Sequence, residues 1–274
     1  MTVKTILVHV ETVGSSLARL QLAAKLAERF NARLVGFAAC GVRPMASSIE
    51  SGVIDVELMQ QFAEDNRKRL QELEKQFAAC VGGTMESEWR TSDTAPTAVL
   101  AQNARAADLI VSGSPLGAER GDFYQQVDLS ELLLSIGRPV LVAGEGMDEQ
   151  QLDRVVIAWK DSKEARRAVI DALPLLKAAR DVLVVTVGDG DKSATEQGLA
   201  DVARYLQRHG VKTRTQRVDL IGKAGGQILE IAAGMNADLI VAGAYGHSRL
   251  REWVFGGVTR ELLDAKAVSR FMSS

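Results

Sequence analysis

A chain of 274 residues, 46% apolar and 25% charged, has ordinary globular composition and is long enough to build two cores. Thirty-three basic residues against 35 acidic ones leave a formal charge of −2, which argues against a surface built for nucleic acid or anionic membrane. No apolar run approaches the length that spans a bilayer, and MTVKTILVHVE meets a charged residue too early for a secretory signal. Cys40 and Cys80 lack metal-ligand spacing and suit a reducing compartment as isolated thiols, so the expected location is cytoplasmic.

In chain order, Thr5 to Val10 is a short run rich in β-branched residues and reads as a buried parallel strand. Leu17, Leu20, Ala24 and Ala27 then recur at helical spacing, and Ala32 to Ala39 reads as a second strand. An extra segment, Gly41 to Gly52, carries Pro44 and several serines. It precedes a long helical pattern with Met59, Phe62, Leu70, Leu73 and Phe77 on one face. The segment ADLIVSG, Ala107 to Gly113, is a further strand. A helix is predicted to start at Asp128-Leu129-Ser130-Glu131 with a carboxylate capping box, and Pro139 to Val142 is a plain last strand. The polar, glycine-bearing GEGMDEQQ, Gly144 to Gln151, is the predicted boundary between domains spanning 1–146 and 152–274.

The second half repeats the first. Arg154 to Trp159 is its opening strand, and Ala165, Val169, Ala172 and Leu176 form a helical stripe. Val182 to Val187 is a strand, and Leu199, Val202 and Leu206 mark a shorter helix. ADLIVAG, Ala237 to Gly243, recurs 130 residues after its counterpart. The C-terminal strand, near Val268 to Met272, is interrupted by Ser269 and Arg270. Strands alternating with helical stretches signify βαβ units, so the expected fold class is α/β: two tandem doubly wound domains, each a parallel sheet of about five strands flanked by helices.

In such sheets a ligand sits beyond the carboxyl ends of the strands, here the loops after Trp159, Val187 and Val241. The last of these reads Gly243-Ala244-Tyr245-Gly246, nine residues, then Gly256-Gly257-Val258-Thr259 opening a helix. Glycine lets backbone amides approach a phosphate, and a helix start adds unpaired amides and a positive dipole end. Arg249 and Arg251 face a single Glu252 in the loop, so the local chemistry suits an anion. His247 has no partner in the pattern, and Trp253 and Phe255 read as packing residues. In the first half Asp128 occupies the amides a phosphate would need, and no glycine pair opens that helix. No P-loop, nucleophile elbow, calcium loop or zinc pattern is present. Gly188-Asp189-Gly190 lacks the third glycine of a dinucleotide fingerprint.

With Gly243-x2-Gly246-x9-Gly256 and the repeat in view, the sequence resembles the universal stress protein family in its tandem two-domain form, over nearly the whole chain. The resemblance implies a five-stranded parallel sheet of order 3-2-1-4-5 in each half, and ATP, with Mg²⁺ as its accompanying ion, as the ligand. It places Asp161 near the ribose and adenine and Val187 near the base. Gly243, Gly246, Gly256, Gly257 and Val258 wrap the phosphates, with Thr259 as a hydroxyl ligand. Gly257 stands where the family pattern has serine or threonine. Asp161 also reads as a helix N-cap ahead of Ser162. The implied protein is a stress-response regulator with no catalytic or metal residues, at most a slow ATP hydrolase. It would be an intramolecular pseudo-dimer, as a monomer or homodimer, acting on an unidentified regulatory protein. Two alternatives stand beside it: an interaction module without nucleotide, and a small ligand bound in the first half.

Overall fold

The computed structural model describes residues 2–12, 14, 16–42, 56–83, 85–114, 123–145, 152–188, 190–245 and 257–274. Contacts divide the chain into a first unit, 4–136, and a second, 137–274 together with residues 1–3.

The first unit runs β1 (Thr5–His9), α1 (Leu17–Phe30), β2 (Arg33–Ala39), α2 (Val56–Val81), β3 (Ser87–Ser92), α3 (Pro96–Asn103), a 3-10 turn, β4 (Leu109–Gly113) and α4 (Leu129–Ser135). Its strands are parallel in the order β3-β2-β1-β4. Ile6, Leu7 and Val8 are buried, as continuous apolar strands covered on both faces must be. Helix α1 turns Leu20, Ala23, Ala24 and Ala27 inward and stops at Asn31, whose φ of 49° is left-handed. The apolar stripe of α2 is buried only near its end, at Leu73 and Phe77, while Phe62 is exposed.

The second unit runs β5 (Val140–Ala143), β6 (Arg154–Ala158), α5 (Lys163–Leu176), β7 (Asp181–Val187), α6 (Lys192–Arg208), β8 (Thr213–Val218), α7 (Ala224–Gly234), β9 (Leu239–Gly243), α8 (Gly257–Asp264) and β10 (Ser269–Ser273). Its order is β5-β10-β9-β6-β7-β8, so β8-β7-β6-β9-β10 realises the expected 3-2-1-4-5. The sheet is nevertheless mixed. β5, expected as the parallel fifth strand of the first half, pairs antiparallel with β10, Met272 opposite Val140 and Arg270 opposite Val142. Each strand meets the other along an edge that would otherwise lack this ladder, and the antiparallel bonds satisfy both.

The repeated aspartate does the same work twice. Asp108 Oδ2 accepts from the amides of Lys4 (2.8 Å) and Thr5 (3.0 Å), and Asp238 Oδ2 accepts from those of Asp153 (3.1 Å) and Arg154 (2.8 Å). Each ties the start of one strand, β1 or β6, to the strand beside it. Ser269 and Arg270, which interrupt the apolar pattern, are both buried within β10. The Ser269 hydroxyl accepts from Gly144 N at 3.0 Å. The Arg270 guanidinium donates to the carbonyls of Val268 (2.7 Å) and Leu263 (3.3 Å), and burial pulls its pKa down to about 10. Among the described residues no helix is long and apolar enough to cross a membrane.

Candidate functional site

In the second unit β6 lies between β7 and β9, and the carboxyl ends of these three strands define the crevice where a ligand sits in this architecture. Gly243 ends β9. A methyl group there would lie 2.5 Å from Ala165 N and 2.6 Å from the carbonyl carbon of Glu164. The missing side chain therefore lets the first turn of α5 rest directly on the strand end.

That turn is capped by Ser162, whose hydroxyl accepts from Ala165 N at 3.2 Å. Asp161, expected as a cap, is not one. Its carboxylate is exposed, and Oδ1 accepts from Arg166 Nε (2.9 Å) and Nη2 (2.6 Å). Glu164, by contrast, is only 4% exposed, and its Oε2 has no hydrogen-bond partner. Oε1 lies 3.7 Å from the ammonium of Lys163, which is itself exposed.

Beyond Gly243 the chain passes through buried Ala244, whose amide donates to Ser273 O at 2.7 Å. It then reaches Tyr245 in the left-handed region, φ 54°. The Tyr245 amide donates to the hydroxyl of buried Thr259 at 3.3 Å. This bond fixes the exit of β9 against the first turn of α8. Gly257 opens that helix and is exposed, and among the described residues a methyl there would meet nothing nearer than Glu261 Oε1 at 4.0 Å. The first turn of the helix carries no acidic residue. Val258 is half-buried beside it. Gly246 and Gly256 lie outside the described residues, as do His247, Arg249, Arg251, Glu252, Trp253 and Phe255.

Val187 ends β7 half-buried. The neighbouring Thr186 hydroxyl donates to Trp159 O at 2.9 Å, and Trp159 N donates to Val185 O at 2.8 Å, so the chain leaving β6 is bound to the end of β7. The structure thus gathers Gly243, Gly257, Val258 and Thr259 at the end of β9 and the start of α8, with Asp161 at the start of α5 and Val187 on β7. The residue that sequence reasoning passed over is Glu164. Its only signal was an acidic residue in the helix turn that follows the first strand.

The equivalent end of the first unit is built differently. At Gly113, the end of β4, a methyl would collide with the Arg19 guanidinium and lie 2.7 Å from Glu11 Oε1. Arg19 is buried and donates from Nη1 to His9 O (3.0 Å) and from Nη2 to Glu11 Oε2 (3.2 Å). Burial raises the Glu11 pKa, and the adjacent guanidinium opposes that shift. His9 is fully buried with neither ring nitrogen partnered. Desolvation first, and the Arg19 charge second, lower its pKa to about 3, so it is a neutral core group at ordinary pH. Asp128 caps α4 as the sequence predicts, accepting from the amides of Ser130 (2.8 Å) and Glu131 (3.1 Å). Among the described residues of either unit, no cluster of three His, Cys, Asp or Glu side chains could hold a metal.

Both units are nucleotide-type α/β folds, and comparison with known proteins gives the class. Residues 151–266 match the model of the universal stress protein family. A universal stress protein of Synechocystis sp. is 27% identical over 138 residues, half of this chain and 47% of that one, so the chain spans about half the length of this curated relative. Among solved structures, a universal stress protein from Archaeoglobus fulgidus superposes with a TM-score of 0.72 at 18% identity, covering 98% of this chain and 96% of that one. A functionally unknown protein from Pseudomonas aeruginosa superposes at 0.57 and 14% identity, covering 99% and 92%. The chain carries the universal stress protein fold, and its second half carries the family's sequence signature.

Proposed function

We propose that this chain is a stress-response regulator that binds one adenine nucleotide, ATP, in its second unit, in the cytoplasm, and acts by binding rather than by turnover. The carrying observation is the start of α8. Gly257 opens the helix with no acidic residue in its first turn, and the Thr259 hydroxyl holds that turn to the exit of β9 through the Tyr245 amide. Gly243, Gly257, Val258 and Thr259 are assigned to the phosphates, together with Gly246 and Gly256 of the sequence pattern. Val187 is assigned to the base and Asp161 to the sugar side of the site. Magnesium would enter on the nucleotide's own phosphates, which bind it without a dedicated protein cage.

The first unit supports the same assignment by contrast. Its helix start is taken by the Asp128 carboxylate, and an Arg19–Glu11 pair fills the space over Gly113. Occupancy of the second unit alone stabilises the bound conformation in proportion to the logarithm of ligand concentration over affinity, which suits a sensor of nucleotide level.

Calorimetric titration with ATP and magnesium tests this reading beside Gly257→Asp, which places a carboxylate at the start of α8 as Asp128 does at α4. One ATP per chain is expected, with binding lost in the variant. Absence of both heat and thermal shift at millimolar ATP would leave the protein a partner-binding module instead.

A further inference from the structure

Glu261 caps a helix that is not its own. It stands in α8, one turn beyond Gly257, and its Oε2 accepts from the amide of Gly226 in the first turn of α7 at 2.9 Å. Helix α7 lacks a cap from its own sequence. Its N-cap residue is Lys223, which makes no side-chain cap bond, and no acidic residue lies in its first turn. A lysine side chain has no acceptor to offer. Its ammonium lies instead 3.9 Å from Glu261 Oε1. The carboxylate of α8 thus supplies the missing acceptor and sits at the positive end of α7.

The contact is close on both sides. Gly225 is buried, and a methyl there would collide with Glu261 Oε2 and lie 2.7 Å from Glu261 Cβ. Cβ is fixed to the backbone of α8, so this approach sets the position of the helix and not only of one rotamer. The same carboxylate borders the turn assigned to the phosphates, with Oε1 4.0 Å from where a Gly257 methyl would lie. On the other side, Gln227 in α7 holds the segment that precedes it. Gln227 Oε1 accepts from Ile221 N at 2.7 Å, and Nε2 donates to Asp219 O at 3.2 Å. Glu261, Gly226 and Gln227 thereby connect the start of α8 to the exposed turn at Leu220 and Ile221.

We infer that Glu261 is a positioning residue: its bond to Gly226 seats the first turn of α8 for the phosphates, and nucleotide held by that turn tightens the start of α7 in return. This rests on the nucleotide reading of the second unit. The return effect is required by linkage, because a cap that raises nucleotide affinity is itself stabilised by nucleotide by the same factor.

The test is hydrogen exchange of the full chain with and without ATP and magnesium, beside ATP titrations of the wild type, Glu261→Ala, Glu261→Gln and Gly225→Ala. In the wild type, ATP should slow exchange in peptides covering 219–227 by about fivefold or more. Glu261→Ala should weaken ATP by a similar factor and abolish that protection at saturating ATP. Glu261→Gln keeps an acceptor for Gly226 and should bind ATP within about threefold of the wild type. Gly225→Ala favours a helix in isolation, yet it should weaken ATP by pushing α8 away, although it alters no residue assigned to the nucleotide. Wild-type protein that binds ATP with unchanged exchange over 219–227 overturns the inference, leaves the nucleotide site standing and needs no variant to fold. Glu261→Ala that loses thermal stability but keeps wild-type ATP affinity also overturns it, since the contact is then structural alone. Failure of the wild type to bind ATP removes the nucleotide reading itself, and this inference with it.

Discussion

Two strands of nearly the same sequence, LIVSG in β4 and LIVAG in β9, end in a glycine, and what lies over each glycine differs. Over Gly113 sit the Arg19 guanidinium and the Glu11 carboxylate, a pair that neutralises itself. Over Gly243 sit the backbone of α5 and the buried Glu164, whose carboxylate keeps an unpaired oxygen. The helices that follow differ in the same sense. A carboxylate caps the start of α4, and the first turn of α8 opens on glycine and carries no acidic residue. The first unit holds an ion pair and a capping carboxylate where the second holds helix backbone and glycine.

The sharpest way to break this comparison is to add one methyl to each glycine. In Gly243→Ala the obstacle is backbone, at 2.5 Å from Ala165 N, which cannot move aside without lifting α5. A loss of about 3 kcal/mol is expected. In Gly113→Ala the nearest obstacle is the end of a long side chain, and a loss of about 1 kcal/mol is expected as Arg19 shifts. Denaturant unfolding of both variants checks the order, and equal losses would show that the two strand ends are packed alike.

A second difference is electrostatic. His9 titrates near 6.5 in an unfolded chain and at about 3 in the fold, so the unfolded state binds the extra proton first. This contribution to stability is present above 6.5 and is lost as pH falls toward 3. His9→Leu removes an unpartnered buried ring, and should flatten that part of the pH–stability curve while changing neutral-pH stability little. An unchanged acid limb in the variant would show that His9 does not carry it.

Smaller effects should separate the two helix starts. Asp128→Ala removes two accepted hydrogen bonds at α4 and should cost the fold about 1 kcal/mol. Thr259→Val removes the hydroxyl that accepts from the Tyr245 amide and should cost a similar amount, about 1 kcal/mol, while also weakening nucleotide binding. Thr259→Ser should restore both. Thermal unfolding with and without ATP distinguishes them, because only the Thr259 change should reduce the ligand-induced shift.

Much of this was legible in the sequence, and the reasons are local. The repeated ADLIV carries burial in its apolar residues and a fixed role in its aspartate, so both copies read as central strands. Asp128 with Ser130 and Glu131 announced a capped helix because capping is a contact within four residues. β3 and β8 were harder to place. SEWRTS and TRTQRV are polar strands with partly exposed side chains, and nothing apolar marks them. β10 was obscured by Ser269 and Arg270, whose burial depends on partners at Gly144, Leu263 and Val268. The antiparallel pairing of β5 with β10 joins segments distant in sequence, and no periodicity encodes it. Nothing in the sequence marked Arg19 or Glu164, whose burial comes from packing beside Gly113 and Gly243, more than 70 residues further along the chain.

The central claim, one open site in the second unit and a closed one in the first, is tested most directly by photolabelling with 8-azido-ATP followed by peptide mapping. The account predicts label confined to peptides from 152–274, competed away by ATP and absent in Gly257→Asp. Label on peptides that flank Gly113 or Asp128, competed with the same affinity, would contradict it.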